Sequence, residues 1–367
     1  MEQTDLIKNV VEKLNSFNDK KHVLVGFDGF VDEIIHVVDQ RKNDEEYDRI
    51  PDIKAYADRI AQMAGLSANL EKVTIQTKLG GNGPIMGNAV IAQGHEVTYI
   101  GAIGKDFIHP VFREFADSCK NVYSLTEPGY TDALEFYDGK IMMGKISNMV
   151  EVNIKNLLEK LPKPELEKLL AETDLIAFTN WTMLSKLNEI MIEFNKIISK
   201  VKNKPLIFID LADPKKRTQE DIREVLEIIS GLNAETILSM NLSESTIISL
   251  NLGIKEDELV KRAKLTREKL GIAGIVIHPT NGAAIATEKQ SKWVDGPYTA
   301  KPKLTTGAGD NFNAGFCTGW LAGMEPAECL ALGVCSSGFY VRNAHSASRD
   351  DLHDFMKQWA EVNCGAI

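Results

Sequence analysis

The sequence lacks the cysteine patterns that build zinc sites or disulfide frameworks. None of its five cysteines belongs to a C-x-x-C pair, and its seven histidines do not cluster with them. A structural zinc site and a cross-linked extracellular fold are therefore not expected. The pattern is typical of reduced, buried thiols in a cytoplasmic protein.

Positive charge and long apolar runs are also scarce. Lysine and arginine total 42 against 52 acidic residues, so the net charge is −10 and the surface repels nucleic acid and anionic lipid. No apolar stretch approaches the roughly 20 residues that a bilayer-spanning helix requires. The charged segment 1–21 lacks the apolar centre of a signal peptide. We expect no nucleic-acid or membrane partner and a cytoplasmic location.

Short β-branched runs alternate with longer amphipathic runs along most of the chain. Apolar strands that alternate with crossover helices form a mostly parallel sheet covered by helices on both faces. The sequence therefore predicts an α/β fold. The predicted strands are 22–27, 73–78, 96–100, 174–178, 206–210, 236–239 and 275–278, and the predicted helices include 84–93, 186–200, 221–229 and 256–270.

One segment departs from this alternation. Residues 130–146 contain two strand-like runs joined by Asp138-Gly139, a pair typical of β-hairpins. An earlier β-branched run at 34–38 can pair with this hairpin. The pattern predicts a small antiparallel sheet beside the parallel core, placed to act as a lid. Beyond Asp310 the chain is predicted to be helical.

The most informative stretch is residues 305–310, Thr-Thr-Gly-Ala-Gly-Asp, which leads directly into a predicted helix. Gly307, Ala308 and Gly309 let the backbone turn tightly and approach a ligand closely. The first amides of the helix lack partners and carry the positive end of its dipole, which suits a transferring phosphoryl group. Asp310 would lie beside this anion hole and accept the proton of an attacking hydroxyl. Taken alone, the stretch is equally consistent with a glycine-rich turn and an acidic helix cap.

A second candidate pair, Asn241 and Glu244, directly follows a predicted strand. Ligands of open α/β sheets bind at this carboxyl edge. Residues three apart share one face of a helical turn and can hold hydrated magnesium. The competing interpretation is that Glu244 caps the following helix.

Two glycine-containing strand exits complete the candidate site. Asp28 and Asp32 follow strand 22–27, where carboxylates can accept hydrogen bonds from the hydroxyls of a polyol. Gly81 and Asn82 precede a predicted helix, and their N–H groups can bind hydroxyls in the same way. Ordinary turn chemistry explains each exit when it is considered singly.

Two other nucleotide-binding patterns are rejected because of their context. Residues 139–145 match G-x-x-x-x-G-K, but Ile146 replaces the required Ser or Thr and the segment is strand-like. Gly81-x-Gly83 mimics a dinucleotide-binding turn, yet the next strand ends without the acidic residue that binds a ribose. A nicotinamide-dependent oxidoreductase is therefore a remote alternative.

In order, these motifs resemble those of the ribokinase-like, or phosphofructokinase-B type, carbohydrate kinases. Residues 304–310 are similar to the family's D-T-x-G-A-G-D signature, and the Gly-Gly-Asn turn at 80–82 resembles its N-terminal signature region. The resemblance extends from about His22 to the C-terminus. It implies a three-layer α/β/α core with a small β lid, and ATP-dependent phosphorylation of a sugar hydroxyl.

The resemblance also implies roles for individual residues. It implies one kinase domain over residues 1–367, with lid segments at about 32–50 and 128–150 and a helical extension at 1–21. The implied residues are Asp310 as the catalytic base, Gly307, Ala308 and Gly309 as the anion hole, Asp28, Asp32, Gly81 and Asn82 as acceptor contacts, and Asn241, Glu244, Thr280 and Gly282 as nucleotide contacts, with Glu244 acting on magnesium indirectly.

Several departures and alternatives stay open. Leu304 replaces a signature Asp that in the family helps to form a monovalent-cation site, so potassium dependence is open, and Ile85 stands where the family usually has Asn. Family lids pair between subunits or stand alone, which leaves open a homodimer through the lid. A nucleotide-binding relative without catalysis is a remote alternative. A nucleoside kinase is a closer one, and the side chains that could surround its base are Phe27, Phe30, Phe136, Met142, Met143 and Trp181.

Overall fold

The computed structural model describes residues 2–17, 19–362 and 364–365, which form a large and a small β-sheet with accompanying helices. The strands are β1 (His22–Gly26), β2 (Phe30–Arg41), β3 (Tyr47–Arg49), β4 (Lys72–Gly80), β5 (Glu96–Gly101), β6 (Asn121–Ser124), β7 (Gly129–Glu135), β8 (Lys140–Lys145), β9 (Leu175–Thr179), β10 (Leu206–Asp210), β11 (Thr236–Met240), β12 (Gly274–Ile277), β13 (Gly282–Thr287) and β14 (Ser291–Asp295). The helices are α1 (Gln3–Ser16), α2 (Ile53–Gln62), α3 (Asn82–Ala92), α4 (Arg113–Ser118), α5 (Ile154–Lys160), α6 (Lys163–Ala171), α7 (Leu187–Ile198), α8 (Gln219–Ser230), α9 (Leu242–Asn251), α10 (Leu259–Leu270), α11 (Ala308–Leu321), α12 (Pro326–Asn343) and α13 (Arg349–Glu361). None of these helices is both long enough and apolar enough to cross a membrane.

The large sheet has the strand order β14-β13-β12-β11-β10-β9-β1-β5-β6. The neighbouring strands β12-β11-β10-β9-β1-β5-β6 all pair in parallel, as the alternation of strands and helices predicted. Strands β13 and β14 form an antiparallel hairpin on β12, which the sequence did not predict. The reason is that β13 consists largely of alanine and lacks the β-branched run that marks the other strands.

Helices cover both faces of the large sheet, and two apolar cores separate the layers. Alternate strand residues enter opposite cores: Val23 and Val25 pack with α1, α3 and α11–α13, whereas Leu24 packs with α5–α8 and α10. This alternation follows from the two-residue period of a strand. The predicted three-layer α/β/α architecture is therefore confirmed.

The small sheet is built around the long strand β2. One edge of β2 pairs with β4 in antiparallel fashion, and the other pairs with β7 in parallel, an exception to the predicted antiparallel pattern. Strand β8 completes the predicted hairpin with β7, and β3 pairs with the end of β2. A separate small core fixes α2 against this sheet, with Ile35, Phe136 and Tyr56 among its members.

Strand β4 corrects one prediction. The sequence pattern assigned residues 73–78 to the parallel core, but β4 belongs to the small sheet. Most of its residues are exposed or only half-buried, and its polar side chains, such as Gln76 and Lys78, could not be accommodated between two layers of helices. The segment is a strand, and its prediction failed only in the choice of sheet.

Candidate active site

The N-termini of helices α3 and α11 lie next to each other, beside the carboxyl ends of β1, β10 and β11. Asp310 lies in the first turn of α11 and is only 5% exposed. Its Oδ1 accepts a hydrogen bond of 2.9 Å from Nδ2 of Asn82, the first residue of α3. Burial, and then the charge of Asp210, raise the pKa of Asp310 well above its ordinary value. The structure therefore brings the predicted base and the Gly-Gly-Asn turn into direct contact.

The glycine turn before α11 has a conformation that requires glycine. Gly307 has a φ of 93°, and a Cβ at this position would lie 2.7 Å from the hydroxyl of Tyr340. The Ala308 amide donates to the Thr305 carbonyl at 3.1 Å, while the Gly307 carbonyl accepts from the main-chain and side-chain nitrogens of Asn311 at 3.0 and 2.9 Å. Among the described residues, the amides of Gly307 and Gly309 have no carbonyl partner. These two amides are the donors that the turn leaves open, whereas the amide of Ala308, the third residue predicted for the anion hole, is engaged by Thr305.

Asp28 is completely buried and is held by protein donors. Its Oδ2 accepts from the amide of Asn82 at 2.9 Å and from Nδ2 of Asn180 at 2.6 Å, and its Oδ1 accepts from the amide of Gly83 at 2.8 Å. Burial raises the pKa of Asp28 despite these hydrogen bonds. Because both oxygens are engaged, Asp28 is suited to fix the start of α3. The acceptor contact that the family resemblance implied for Asp28 stays a prediction.

Asp32, in contrast, lines an open cleft between the small sheet and the core. The cleft has a volume of about 860 Å³, and its walls include Ile85 and Asn88 of α3 and Thr306 of the glycine turn. The Asp32 carboxylate hydrogen-bonds the Thr131 side chain, and burial raises its pKa. It can still receive hydrogen bonds from a ligand in this cleft, which we call the acceptor cleft.

A second cleft, of about 470 Å³, lies on the other side of the glycine turn. Its walls include Asn241, Thr280 and Gly282, three of the four residues for which the resemblance implied nucleotide contacts, together with Ala308 and Gly309; the fourth, Glu244, is not in its lining. We call it the nucleotide cleft. The turn thus separates two clefts and contributes residues to both.

Asn241 and Glu244 form a reciprocal helix cap at the start of α9. Oδ1 of Asn241 accepts from the Glu244 amide at 3.0 Å, and Oε2 of Glu244 accepts from the Asn241 amide at 2.8 Å. The capping interpretation is therefore confirmed for Glu244. Burial, and then the charge of Asp210, raise the pKa of Glu244 to about 9.

Sequence reasoning missed Asp210, the last residue of β10. Its Oδ1 accepts from the amide of Ala212 at 2.8 Å, and its Oδ2 accepts from Nδ2 of Asn313 at 2.7 Å. Burial also raises the pKa of Asp210. The only available signal was its place at the end of a predicted strand.

Asn180 was also missed, although it follows β9 directly. Its backbone is left-handed, with φ of 53°, a conformation that asparagine tolerates better than most residues. While its Nδ2 holds Asp28, its Oδ1 is buried and has no hydrogen-bond partner among the described residues. A buried acceptor without a protein donor at this sheet edge is open to a water molecule or to a ligand hydroxyl.

A family model of the prokaryotic ketohexokinases matches residues 2–359. The chain belongs to the prokaryotic ketohexokinase family. A curated ketohexokinase from Haloferax volcanii is 26% identical over 350 residues, which cover 94% of this chain and 93% of that protein. The chain is a sugar kinase, an enzyme that transfers a phosphoryl group from ATP to an alcohol group of a sugar.

Solved structures of ribokinase-like enzymes share the fold. Arabidopsis thaliana ribokinase, complexed with ribose and ATP, is 17% identical with a TM-score of 0.65, and the match covers 92% of this chain and 99% of that chain. Adenosine kinase from Sinorhizobium meliloti is 15% identical with a TM-score of 0.64, covering 92% and 98%. A sugar kinase and a nucleoside kinase match almost equally well, so the fold does not select the acceptor.

Proposed function

We propose that this chain transfers the γ-phosphoryl group of ATP to a hydroxyl of a ketohexose, with Asp310 as the base. One observation carries the proposal: the buried carboxylate of Asp310 adjoins a glycine turn that lines both the nucleotide cleft and the acceptor cleft. A phosphoryl group that crosses from one cleft to the other passes the free amides of Gly307 and Gly309. These amides stabilise the charge that develops on the transferring group.

The charges that the small sheet contributes to the acceptor cleft favour a neutral sugar over a sugar phosphate. Lys140 forms an ion pair with Glu135 at 2.9 Å, and Lys78 lies close enough to Asp32 to affect its pKa. The two lysines that the small sheet contributes are therefore balanced by carboxylates. The ketohexose itself is proposed from the family and from its curated relative.

The aromatic side chains that could have bound a nucleoside base are used elsewhere. Phe27, Phe30, Phe136 and Trp181 are buried in the apolar cores, and within the described part of the chain none of them lines either cleft. A base needs an apolar or aromatic surface on which to stack. These four rings therefore give no support to a nucleoside acceptor, and the sugar is proposed from the family and its curated relative.

We assign the acceptor contacts to Asp32, Gly81, Asn82 and the free Oδ1 of Asn180, with Asp28 holding the turn that carries two of them. The Asp32 carboxylate and the side-chain oxygens of Asn82 and Asn180 can accept from sugar hydroxyls, and the Gly81 N–H can donate to one, so this set matches a polyol. Burial raises the pKa of Asp310 from a weakly basic value towards one better suited to accept a proton. Closure of the small sheet over the acceptor would exclude water, which would otherwise compete for the phosphoryl group.

The carboxylates Asp210 and Glu244 fit a hydrated magnesium ion. The charge of Asp210 raises the pKa of both Glu244 and Asp310, and no basic residue is among the neighbours that shift these three pKa values. No group of three or more ligating side chains is preformed among the described residues, as expected for an ion that keeps most of its waters. Bound magnesium would neutralise the charge of the ATP phosphates. Asp210 and Glu244 would orient its water ligands.

Two further proposals concern the molecule as a whole. Ile75 and Met142 on the small sheet are 49% and 53% exposed, which supports a homodimer formed through this sheet. The cysteines of the described chain are free thiols, which supports a cytoplasmic location.

A coupled ADP-release assay with Mg-ATP, with and without potassium, tests the proposed function. Acceptors would include D-fructose, aldohexoses, pentoses, fructose phosphates and nucleosides. We expect release that depends on the acceptor, with the highest kcat/KM for the ketohexose. Fast release with a nucleoside alone, or release that is independent of any acceptor, would overturn the proposal.

A further inference from the structure

The glycine turn is held by a neighbouring helix as well as by its own residues. Tyr340 on α12 is 7% exposed, and its hydroxyl donates to the Thr306 carbonyl at 2.9 Å. The next residue of α12, Val341, accepts from the amides of Lys303 and Leu304 at 2.7 and 3.4 Å. Two consecutive residues of α12 therefore contact both ends of the segment 303–306. None of the motifs that identified the site includes α12.

The hydrogen bond from Tyr340 fixes the orientation of one peptide plane. In a planar trans peptide the carbonyl and the following N–H point in opposite directions. If the Thr306 carbonyl is directed towards the phenol, the Gly307 N–H must be directed away from it. In the described chain this amide has no carbonyl partner, and the phenol is the one hydrogen-bond donor to the Thr306 oxygen. Glycine at φ 93° offers little resistance to rotation of this peptide.

The phenol is suited to hold this orientation over the whole physiological pH range. Burial, and then the charge of Asp310, raise the pKa of Tyr340 to about 12. The hydroxyl therefore stays protonated and remains a donor. Its oxygen also lies 2.7 Å from where a Cβ at position 307 would be, and Tyr340 is one of the residues that line the acceptor cleft beside the turn.

We propose that Tyr340 is a positioning residue of the anion hole: its hydroxyl orients the Thr306–Gly307 peptide so that the Gly307 amide faces the transferring phosphoryl group. The inference deepens the proposed function and rests on it. Its consequence is that the hydroxyl contributes to kcat and not to ground-state binding, because the charge on the phosphoryl oxygens that this amide stabilises develops in the transition state.

The variant Tyr340→Phe removes the hydroxyl and keeps the ring. We expect kcat to fall by roughly 10- to 100-fold. This effect is larger than that of losing one neutral hydrogen bond and smaller than that of losing an anion-hole donor outright. KM for ATP should stay within about twofold. Tyr340 also lines the acceptor cleft, but its hydroxyl proton is donated to Thr306, so KM for the sugar should change far less than kcat. Stabilisation of the enzyme by ADP, aluminium fluoride and sugar together, an analogue of the transition state, should be largely lost. Tyr123→Phe, a half-buried tyrosine of β6 that lines neither cleft, is the matched control.

A double-mutant cycle with Gly307→Ala separates positioning from general stability. The alanine Cβ would meet the Tyr340 hydroxyl, so its effect on kcat should be smaller in the Tyr340→Phe background. Strictly additive effects, or a kcat of Tyr340→Phe within about twofold of wild type, would overturn the inference. A loss of kcat matched by unfolding at the assay temperature would reduce Tyr340 to a structural residue and would also overturn it. Wild-type enzyme that phosphorylates no sugar would instead refute the proposed function, and the inference with it.

Discussion

The carboxyl edge of the large sheet and the small sheet beside it differ in how their polar groups are held. At the edge, Asp28, Asp210 and Asp310 are buried and accept hydrogen bonds from the protein itself. In the small sheet, every residue of β8 is exposed or half-buried, and so is most of β4. The carboxylates of the edge are held in place by the protein alone, whereas the small sheet has surface still to bury.

This difference separates the chemistry from the choice of acceptor. A preorganised edge lowers the transition-state free energy because its dipoles need no reorganisation during the reaction. A sheet with exposed strands gains contacts only when a ligand or another surface covers it. We therefore expect substitutions at the edge to change kcat, and substitutions in the small sheet to change KM for the sugar.

The largest expected effect is at the edge. Asp310→Asn should lower kcat by roughly 10²–10⁴-fold, the range for loss of a general base. The hydrogen bond from Asn82 can persist, and a carboxylate that Asp210 destabilises is removed, so the melting temperature should not fall. Steady-state kinetics and thermal melting check both points. Asp350→Asn, in the first turn of α13, is the control, and a near wild-type rate for Asp310→Asn would remove Asp310 from the base role.

The next effect separates activity from stability at the same edge. In Gly309→Ala the new Cβ would lie 3.5 Å from Cε1 of His278, an ordinary contact, and the backbone φ is not positive. Alanine favours a helix by up to roughly 1 kcal/mol, so stability should be kept or raised. The methyl group adjoins a free amide of the anion hole, and kcat/KM should fall by about 10²-fold.

The control for this prediction is Gly231→Ala at the end of α8, where a Cβ also meets only ordinary contacts. Chemical denaturation and kinetics would be measured on both variants. A Gly309→Ala enzyme that is less stable than wild type, or one with unchanged activity, would contradict the idea that this edge is shaped for a ligand at the expense of helix stability.

Sequence alone predicted the parts of the site that form continuous motifs. The 305–310 turn and the Gly81-Asn82 turn have a composition that only a few local structures explain. The periodicity of apolar residues around them predicted the flanking strands and helices. Asp210 and Asn180 are single polar residues after buried strands, and a single residue has no pattern. Their roles depend on which strands become neighbours in the sheet.

Three further features that the sequence did not reveal have the same origin. Tyr340 reaches the turn because α12 packs against α11, a long-range arrangement that no local signal encodes. Strand β4 was assigned to the wrong sheet because strand propensity does not specify a partner. The engagement of both Asp28 oxygens could be seen only once α3 was placed beside β1. Local chemistry was therefore predictable, and pairing between distant elements was not.

A smaller effect is expected in the small sheet. Asp32→Asn should raise KM for the sugar by roughly 10- to 100-fold, since a hydrogen bond to a charged group contributes about 1.5–3 kcal/mol. KM for ATP should change by less than about twofold. Asp132→Asn is a matched control, because Asp132 is a similarly buried carboxylate of the same sheet that pairs with Lys72 outside the acceptor cleft. Equal changes in KM for ATP and for the sugar would erase the distinction between edge and lid.

The smallest expected effect concerns stability and compares a core histidine with one in the small sheet. His95 is 5% exposed, and burial, followed by the charges of Arg349 and Lys21, lowers its pKa to about 4. Between pH 6.5 and 4 the imidazole of His95 is protonated in the unfolded chain and neutral in the folded protein. The stability from neutral His95 is therefore complete above pH 6.5 and is lost as the pH falls towards 4, by at most about 3 kcal/mol.

His95→Gln should make the free energy of unfolding depend less steeply on pH between 6.5 and 4. The free energy would be measured by denaturant titration at several pH values and compared with that of the wild type. Burial, and then the charge of Arg49, also lower the pKa of His36, but its side chain is 20% exposed and hydrogen-bonds the Tyr47 hydroxyl. The free energy linked to its titration is therefore more strongly screened by solvent. His36→Gln should leave the slope nearly unchanged. An equal loss of slope in both variants would mean that the small sheet is as firmly packed as the core, which would argue against the proposed closure of this sheet over the acceptor.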